Sequence, residues 1–384
     1  MQNKNKRILW LCSHVILYKI EPKIIESLGF EVFIPKTSKN DFFYTTYEYD
    51  KNLTIPREDL DILNKFDFYN DVPNKKIIDI LNKYFATAIS VMTYPGHFYL
   101  MQYFKGEIVL RAFGLPHNDN YFDDIRNREK SADKRKIRFF SKLDAIKFNI
   151  KKLFNKKYTK SKYLLEKIKD RVLLGYAYKP IIENEKPFFK KRGVYLPIPL
   201  ASSTWSFENT WVGSINKIMY VCPYMKYDPL QIKAFENFSR NLADLPYNLF
   251  GRDVGDNLNK HIIGFLEDKD YIATIQNYKC MFFDSREPRH MRGNQLEAII
   301  IGMPVIYLDG GLMEYLGGKD QPGMCHTYSE AREKIERILN NDENFIREIR
   351  EKQMKIVESF RNENVKKEWK QNLLPIINKN YENI

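Results

Sequence analysis

Cysteine is scarce in this chain of 384 residues, and the four present (Cys12, Cys222, Cys280, Cys325) stand far apart. No two have the CxxC spacing of a zinc site, and they are too sparse for a secreted disulfide framework, so a cytoplasmic protein with four free, mostly buried thiols is expected. Long apolar runs are missing too. No window approaches the roughly 18 apolar residues of a membrane-spanning helix. The basic, partly apolar start MQNKNKRILWLCSHVILYKI is broken by Ser13, His14 and Lys19 and has no small-residue cleavage site, so it reads as a first strand rather than a signal peptide. DxD triplets, the usual carboxylate pairs of a metal-dependent sugar transferase, occur at Asp59-Leu60-Asp61 and Asp268-Lys269-Asp270. Both stand beside helix starts, where acids belong in any case, and no metal site is expected.

What is present suffices for two cores. The length exceeds one ordinary domain and 43% of the residues are hydrophobic. The formal charge is +13, and it is concentrated: residues 126–162 hold 15 Lys and Arg against Glu129, Asp133 and Asp144, a local excess of +12. Within that stretch IRFFSKLDAIKFNIKKLF places Phe140, Leu143, Ile146, Ile150, Leu153 and Phe154 at three-to-four spacing with lysines between them. A basic amphipathic helix of this kind suits an anionic membrane surface or a docking partner. Each cation near such a surface contributes about 1 kcal/mol, enough in sum to hold a protein peripherally at the inner leaflet. A non-catalytic nucleic-acid or membrane-binding protein on an α/β scaffold is the competing reading. The run lacks the arrangement of an RNA-recognition motif or zinc finger, so no specific nucleic acid is expected.

Apolar run, amphipathic helix, glycine and second apolar run (KRILWLCSH, YKIEPKIIESLG, FEVFIPK) spell a βαβ unit with a parallel sheet. A helix at 74–84, the strand ATAISVM, the loop TYPGH and the strand GEIVLRAFG continue it. A second α/β rhythm begins near 216 with NKIMYVCPY and the helix PLQIKAFENFSRNLADL. The strands YNLFG, HIIGF, CMFFDS and PVIYLD follow, with the helices KDYIATIQNY and NQLEAIII between them, then SEAREKIERILNN and a long amphipathic segment over 342–380. The expected organisation is an N-terminal Rossmann-like domain over 1–205, with the basic insertion 126–162, and a C-terminal one over 206–365. A final helix at 366–384 returns to the first domain.

The stretch HIIGFLEDKDYIATIQNYKCMFFDSREPRHMRGNQLEAIIIGMPVIYLDGG, within a region from about 216 to 318, resembles the donor-binding domain of GT-B glycosyltransferases of family 4 and its relatives. The shared pattern is a strand ending in Gly, an acidic turn, a helix, a strand ending in Ser, a loop, a Leu-Glu-Ala helix, Gly-x-Pro-Val and a strand. The resemblance implies two doubly wound Rossmann-like domains with a donor cleft between them and a helical C-terminal tail. It also implies transfer of a sugar from a nucleotide diphosphate donor, without a bound cofactor. The acceptor would be a glycan or lipid-linked glycan, as in capsule or lipopolysaccharide assembly. A GT-B nucleotide-sugar epimerase is the alternative enzyme.

The family's ribose-binding glutamate falls on Glu297. A carboxylate in the first turns of a helix can accept from both ribose hydroxyls while the free N–H groups at the helix start face the diphosphate. Arg292, Gly293 and Asn294 open that helix, and Gly293 leaves room for phosphate. Retaining relatives carry a sugar-facing glutamate about eight residues earlier, where this chain has Arg289, with Glu287 two residues before it; either the loop presents Glu287 in that part or the sugar is handled differently, and the resemblance leans toward retention. Arg286, Arg289, His290 and Arg292 lie within seven residues at a strand's carboxyl end, where guanidinium forks suit phosphate oxygens. In the resembled family an arginine and a lysine after the first strand of this domain hold the diphosphate; Lys226 takes the lysine's place, and Arg252 is a further basic candidate. His14 and His97 follow strands of the first domain and are candidates for contacting the reacting sugar or the acceptor hydroxyl, and Arg111 is a candidate anion contact there.

Overall fold

The computed structural model describes residues 6–12, 17–35, 53–69, 71–91, 96–115, 120–134, 142–254, 261–266, 268–290 and 293–378. Two compact units emerge: Met1–Pro199 together with Glu363–Ile384, and Leu200–Asn362. Both boundaries fall a few residues before 205 and 365.

The first unit is built on six parallel strands: β1 (Arg7–Cys12), β2 (Glu31–Phe33), β3 (Thr87–Val91), β4 (Glu107–Ala112), β5 (Val172–Tyr176) and β6 (Gly193–Tyr195), in the order β2-β1-β3-β4-β5-β6. All side chains of β1 and β3 are buried, as in a sheet covered on both faces, and most of them are apolar. Leu17–Ser27 is the first crossover helix, and it stops at Gly29, whose φ of +91° suits only a residue without Cβ. Lys75–Tyr84 starts at Asn74, whose side chain accepts from the Ile77 N–H. The helix Asn362–Asn378 belongs to this unit: Trp369 is buried and its indole N–H donates to the Pro197 carbonyl at 2.8 Å.

At the centre of this unit Arg111 is fully buried with Glu21 (2.6 Å), donates to the Gly175 carbonyl (2.9 Å), and lies over the Trp369 ring. Burial pushes the Glu21 carboxyl above its usual range against the pull of Arg111. Arg111 is therefore a core ion pair joining β4, β5 and the C-terminal helix, rather than an anion contact.

The second unit carries β7 (Ile215–Val221), β8 (Tyr247–Phe250), β9 (Ile262–Gly264), β10 (Tyr278–Phe283), β11 (Val305–Leu308) and β12 (Met324–Cys325), all parallel, in the order β12-β11-β10-β7-β8-β9. The chain starts in the middle at β7, builds outward to β9, then returns to β10 and builds the other way. The strand order reverses between β7 and β10, and in doubly wound sheets the crevice at the carboxyl ends of such a pair receives ligands. The two sheets are thus the two Rossmann-like doubly wound domains expected from the sequence. The long segment over 342–380 is two helices, Glu343–Val357 and Asn362–Asn378, parted by a 3₁₀ turn at Glu358–Phe360. Arg361 leaves the helical conformation there and pairs with Glu208 through both terminal nitrogens.

All four cysteines are buried and none is in a disulfide, and burial pushes the Cys280 and Cys325 thiols up to about 12. Among the described residues no helix is long and apolar enough to cross a membrane. Asp59, from one of the two DxD triplets, accepts from the Tyr84 hydroxyl at 2.6 Å.

Candidate functional site

The loop after β10 leaves the sheet beside the reversal point, and its charges are organised rather than solvated. Arg289 is buried at 4% exposure; its Nε donates to Glu287 Oε1 (2.8 Å) and its Nη2 to Glu287 Oε2 (3.0 Å). The Arg289 backbone N–H also donates to Glu287 Oε1 at 3.0 Å. Both carboxylate oxygens of Glu287 are therefore engaged within the loop. Glu287, the candidate substitute for the relatives' sugar-facing glutamate, here holds the arginine that stands in that glutamate's place.

Arg286 is half exposed and points the other way. It donates to the Asp309 carbonyl (3.1 Å) and the His326 carbonyl (2.7 Å), and pairs with the Asp309 carboxylate. Asp309 follows β11 and His326 follows β12, so one guanidinium ties three strand ends together. The other Asp309 oxygen meets His326 Nδ1 at 2.6 Å, and the His326 backbone N–H donates to Glu330 (2.8 Å). Beneath them Asp284 accepts from the Tyr220 (2.8 Å) and Tyr328 (3.3 Å) hydroxyls, and burial together with that carboxylate raises both phenols above their usual range. Gly311 makes this packing possible: a Cβ there would sit 2.3 Å from the Ser285 carbonyl oxygen.

The helix Asn294–Ile301 opens just after this loop, with Gly293 as its N-cap and no side-chain cap on its first N–H groups. Other helix starts in the chain do carry such caps, from Asn74, Thr159, Asp228, Thr327 and Asp342. Gly293 has φ −70°, which any residue adopts, and a Cβ built on it meets nothing within 4 Å. Its use is open space rather than backbone freedom. Glu297 lies in the first turn, half-buried, its N–H bonded to the Gly293 carbonyl. Asn294 donates to the Tyr271 hydroxyl at 2.7 Å. Burial holds the Tyr271 phenol well above its usual range, and the Glu297 carboxylate adds to it. Glu297 and Asn294 are thus brought to one spot by the packing of the helix Asp268–Ile275 on the helix start.

On the β7 side, Lys226 is exposed and its N–H donates to the Asp253 carbonyl (3.2 Å). Arg252 is exposed, its guanidinium 3.8 Å from the centroid of the Phe265 ring. His290 is exposed at the end of the loop. Arg292 and His14 lie outside the described residues, and of His97 only the backbone is described, in the first turn of the helix Gly96–Tyr103 that follows β3. Reading the sequence passed over Asp284, Asp309 and His326. Each stands directly after a strand of the second unit, the position that should have drawn attention to it. Among the described residues no group of three or more His, Cys, Asp and Glu side chains could hold a metal ion.

No family model and no curated protein sequence matches the chain. Solved structures do. An O-GlcNAc transferase mutant from Thermobaculum terrenum superposes with a TM-score of 0.55 at 12% identity, covering 97% of this chain and 68% of that one. BGT of T4 phage, solved with UDP and Mn2+, superposes with a TM-score of 0.51 at 13% identity, covering 97% and 99%. At such identities the likeness establishes the fold.

Proposed function

For a chain with the GT-B fold, we propose that the Leu200–Asn362 unit binds the nucleotide diphosphate of an activated sugar and that the protein transfers the sugar to a glycan or lipid-linked glycan. The observation that carries this reading is the uncapped start of the helix Asn294–Ile301, with Glu297 in its first turn, placed just after the loop that leaves the sheet at its reversal point. Free N–H groups and the positive end of the helix dipole suit phosphate oxygens. The Glu297 carboxylate, close to them, suits the two hydroxyls of a ribose. One of the two solved structures carries a transferase name, and the other was solved with UDP and Mn2+. Negative charge growing on the departing diphosphate during transfer would be met by N–H dipoles already oriented by the fold, so that little reorganisation accompanies bond breaking.

Thermal unfolding of the whole protein with a panel of nucleoside diphosphates and nucleotide sugars tests the reading, because a ligand bound only by the native state raises its midpoint. At least one nucleoside diphosphate should raise it while the matching free nucleoside does not; a panel without effect would overturn the proposal. Turnover of the stabilising nucleotide sugar with no acceptor present would indicate the epimerase alternative.

A further inference from the structure

The basic stretch forms a helix, Lys142–Phe154, held to the first unit by one face only. Asp144 is buried, accepting from the Tyr163 hydroxyl (2.9 Å) and from Lys167 (2.8 Å). Phe148, one turn on, is buried between Tyr158 and Tyr163, and Lys151 reaches Glu166 at 3.0 Å. These positions recur every three or four residues and dock the helix on its neighbour, Lys160–Lys167.

An adjacent face carries Leu143, Ile146, Ile150, Leu153 and Phe154, spaced at the same period. All five are uncovered, from 51% exposed at Ile150 to 88% at Phe154. Lys147, Lys151, Lys152, Lys156 and Lys157 are exposed around them. Beside the row, between the two helices, lies an open recess of about 400 Å³ lined by Lys147, Ile150, Lys151, Tyr163, Glu166 and Lys167.

We propose that this helix docks the protein on an anionic lipid surface, its apolar row entering the acyl boundary while the lysines and the recess meet lipid phosphates. Charge and apolarity select the occupant together. A nucleic acid would satisfy the lysines through its phosphates yet leave five apolar side chains in water. The interface of an anionic bilayer supplies negative headgroups and hydrocarbon within a few ångströms of each other, which is what a helix with this division of faces requires. The Asp144 and Phe148 anchors keep the row turned outward, so docking needs no refolding. The inference uses no nucleotide and stands apart from the donor site.

Cosedimentation of the full chain with phosphatidylcholine vesicles, with and without phosphatidylglycerol, tests it. Wild type should pellet with the anionic vesicles and stay in solution with the neutral ones. Two variants, Ile146→Ser with Ile150→Ser and Phe154→Ser, and Lys147→Glu with Lys152→Glu, should each lose roughly tenfold or more in partitioning. Their unfolding midpoints should stay at the wild-type value, since every substituted side chain is exposed. Failure of wild type to bind anionic vesicles would overturn the proposal. So would a serine variant that binds them as well as wild type, or wild-type binding to duplex DNA or RNA that exceeds vesicle binding and survives the serine substitutions.

Discussion

Replacing Glu297 separates a ribose contact from an ordinary helix-surface acid. Its carboxylate is half-buried one turn into an uncapped helix, and in the proposed role it accepts two hydrogen bonds from ribose. Hydrogen bonds to a charged group contribute about 1.5–3 kcal/mol each, and the partial exposure argues for the lower end. Glu297→Ala should therefore cost about 3 kcal/mol of nucleoside diphosphate affinity, roughly 150-fold in Kd, while Glu297→Gln, which keeps one acceptor, should cost about half that. Calorimetric titration of each variant with a nucleoside diphosphate and, separately, with inorganic pyrophosphate gives the decisive comparison. Pyrophosphate has no ribose, so it should bind the variants as well as wild type or better, a nearby negative charge having been removed. Equal nucleoside diphosphate affinity in all three proteins would refute the reasoning. So would parallel losses for both ligands, which would mean that the carboxylate shapes the helix start rather than touching the sugar ring.

Two glycines should behave oppositely: Gly311→Ala forces a Cβ against the Ser285 carbonyl and should lower stability by about 1–3 kcal/mol, read from urea unfolding. Gly293→Ala meets nothing in the free protein, so it should leave stability unchanged and weaken nucleoside diphosphate binding in titration. Glu287→Ala strips the buried Arg289 of its carboxylate and should destabilise by about 2–3 kcal/mol; loss of turnover with an unchanged unfolding midpoint would instead make Glu287 a catalytic residue. Burial raises the Glu185 carboxyl to about 6 although it accepts the Tyr121 and Phe122 N–H groups. The native state then binds more protons than the unfolded one between about 4.5 and about 6, so stability falls by about 2 kcal/mol as pH rises through that window. Glu185→Gln should flatten this slope in urea unfolding on either side of the window, and an unaltered slope would show the cause to lie elsewhere.

Strands with long apolar runs were legible from the sequence because a parallel sheet covered on both faces writes itself as continuous hydrophobicity: β1, β3, β4, β7, β8, β10 and β11 all fall where the pattern places them. Three strands were passed over. β6 and β12 span three and two residues, too few for any periodicity, and β5 follows the lysine-rich segment without a glycine or proline to set it off. The break after Val357 was hidden because no glycine or proline marks it, and the partner that holds Arg361 there, Glu208, is distant in sequence. In the site, Glu297 and its helix start could be found from local pattern, whereas the Arg286–Asp309–His326 arrangement could not, since its members lie up to 40 residues apart and meet only once β10, β11 and β12 are aligned.

That alignment changes how the loop after β10 can serve an anion. In sequence its arginines look like a cationic patch waiting for phosphate. In the fold Arg289 is paired with Glu287 and Arg286 with Asp309, so these two guanidiniums offer an anion less than their number suggests, and the uncapped helix start adds an attraction of its own. Arg286 is already held by Asp309, whose other oxygen meets His326, so an anion could draw on that guanidinium only by displacing the carboxylate. What the Arg286–Asp309–His326 arrangement does in the folded chain is tie the ends of β10, β11 and β12 to one another, which fixes where the loop after β10 starts and with it where the helix start stands.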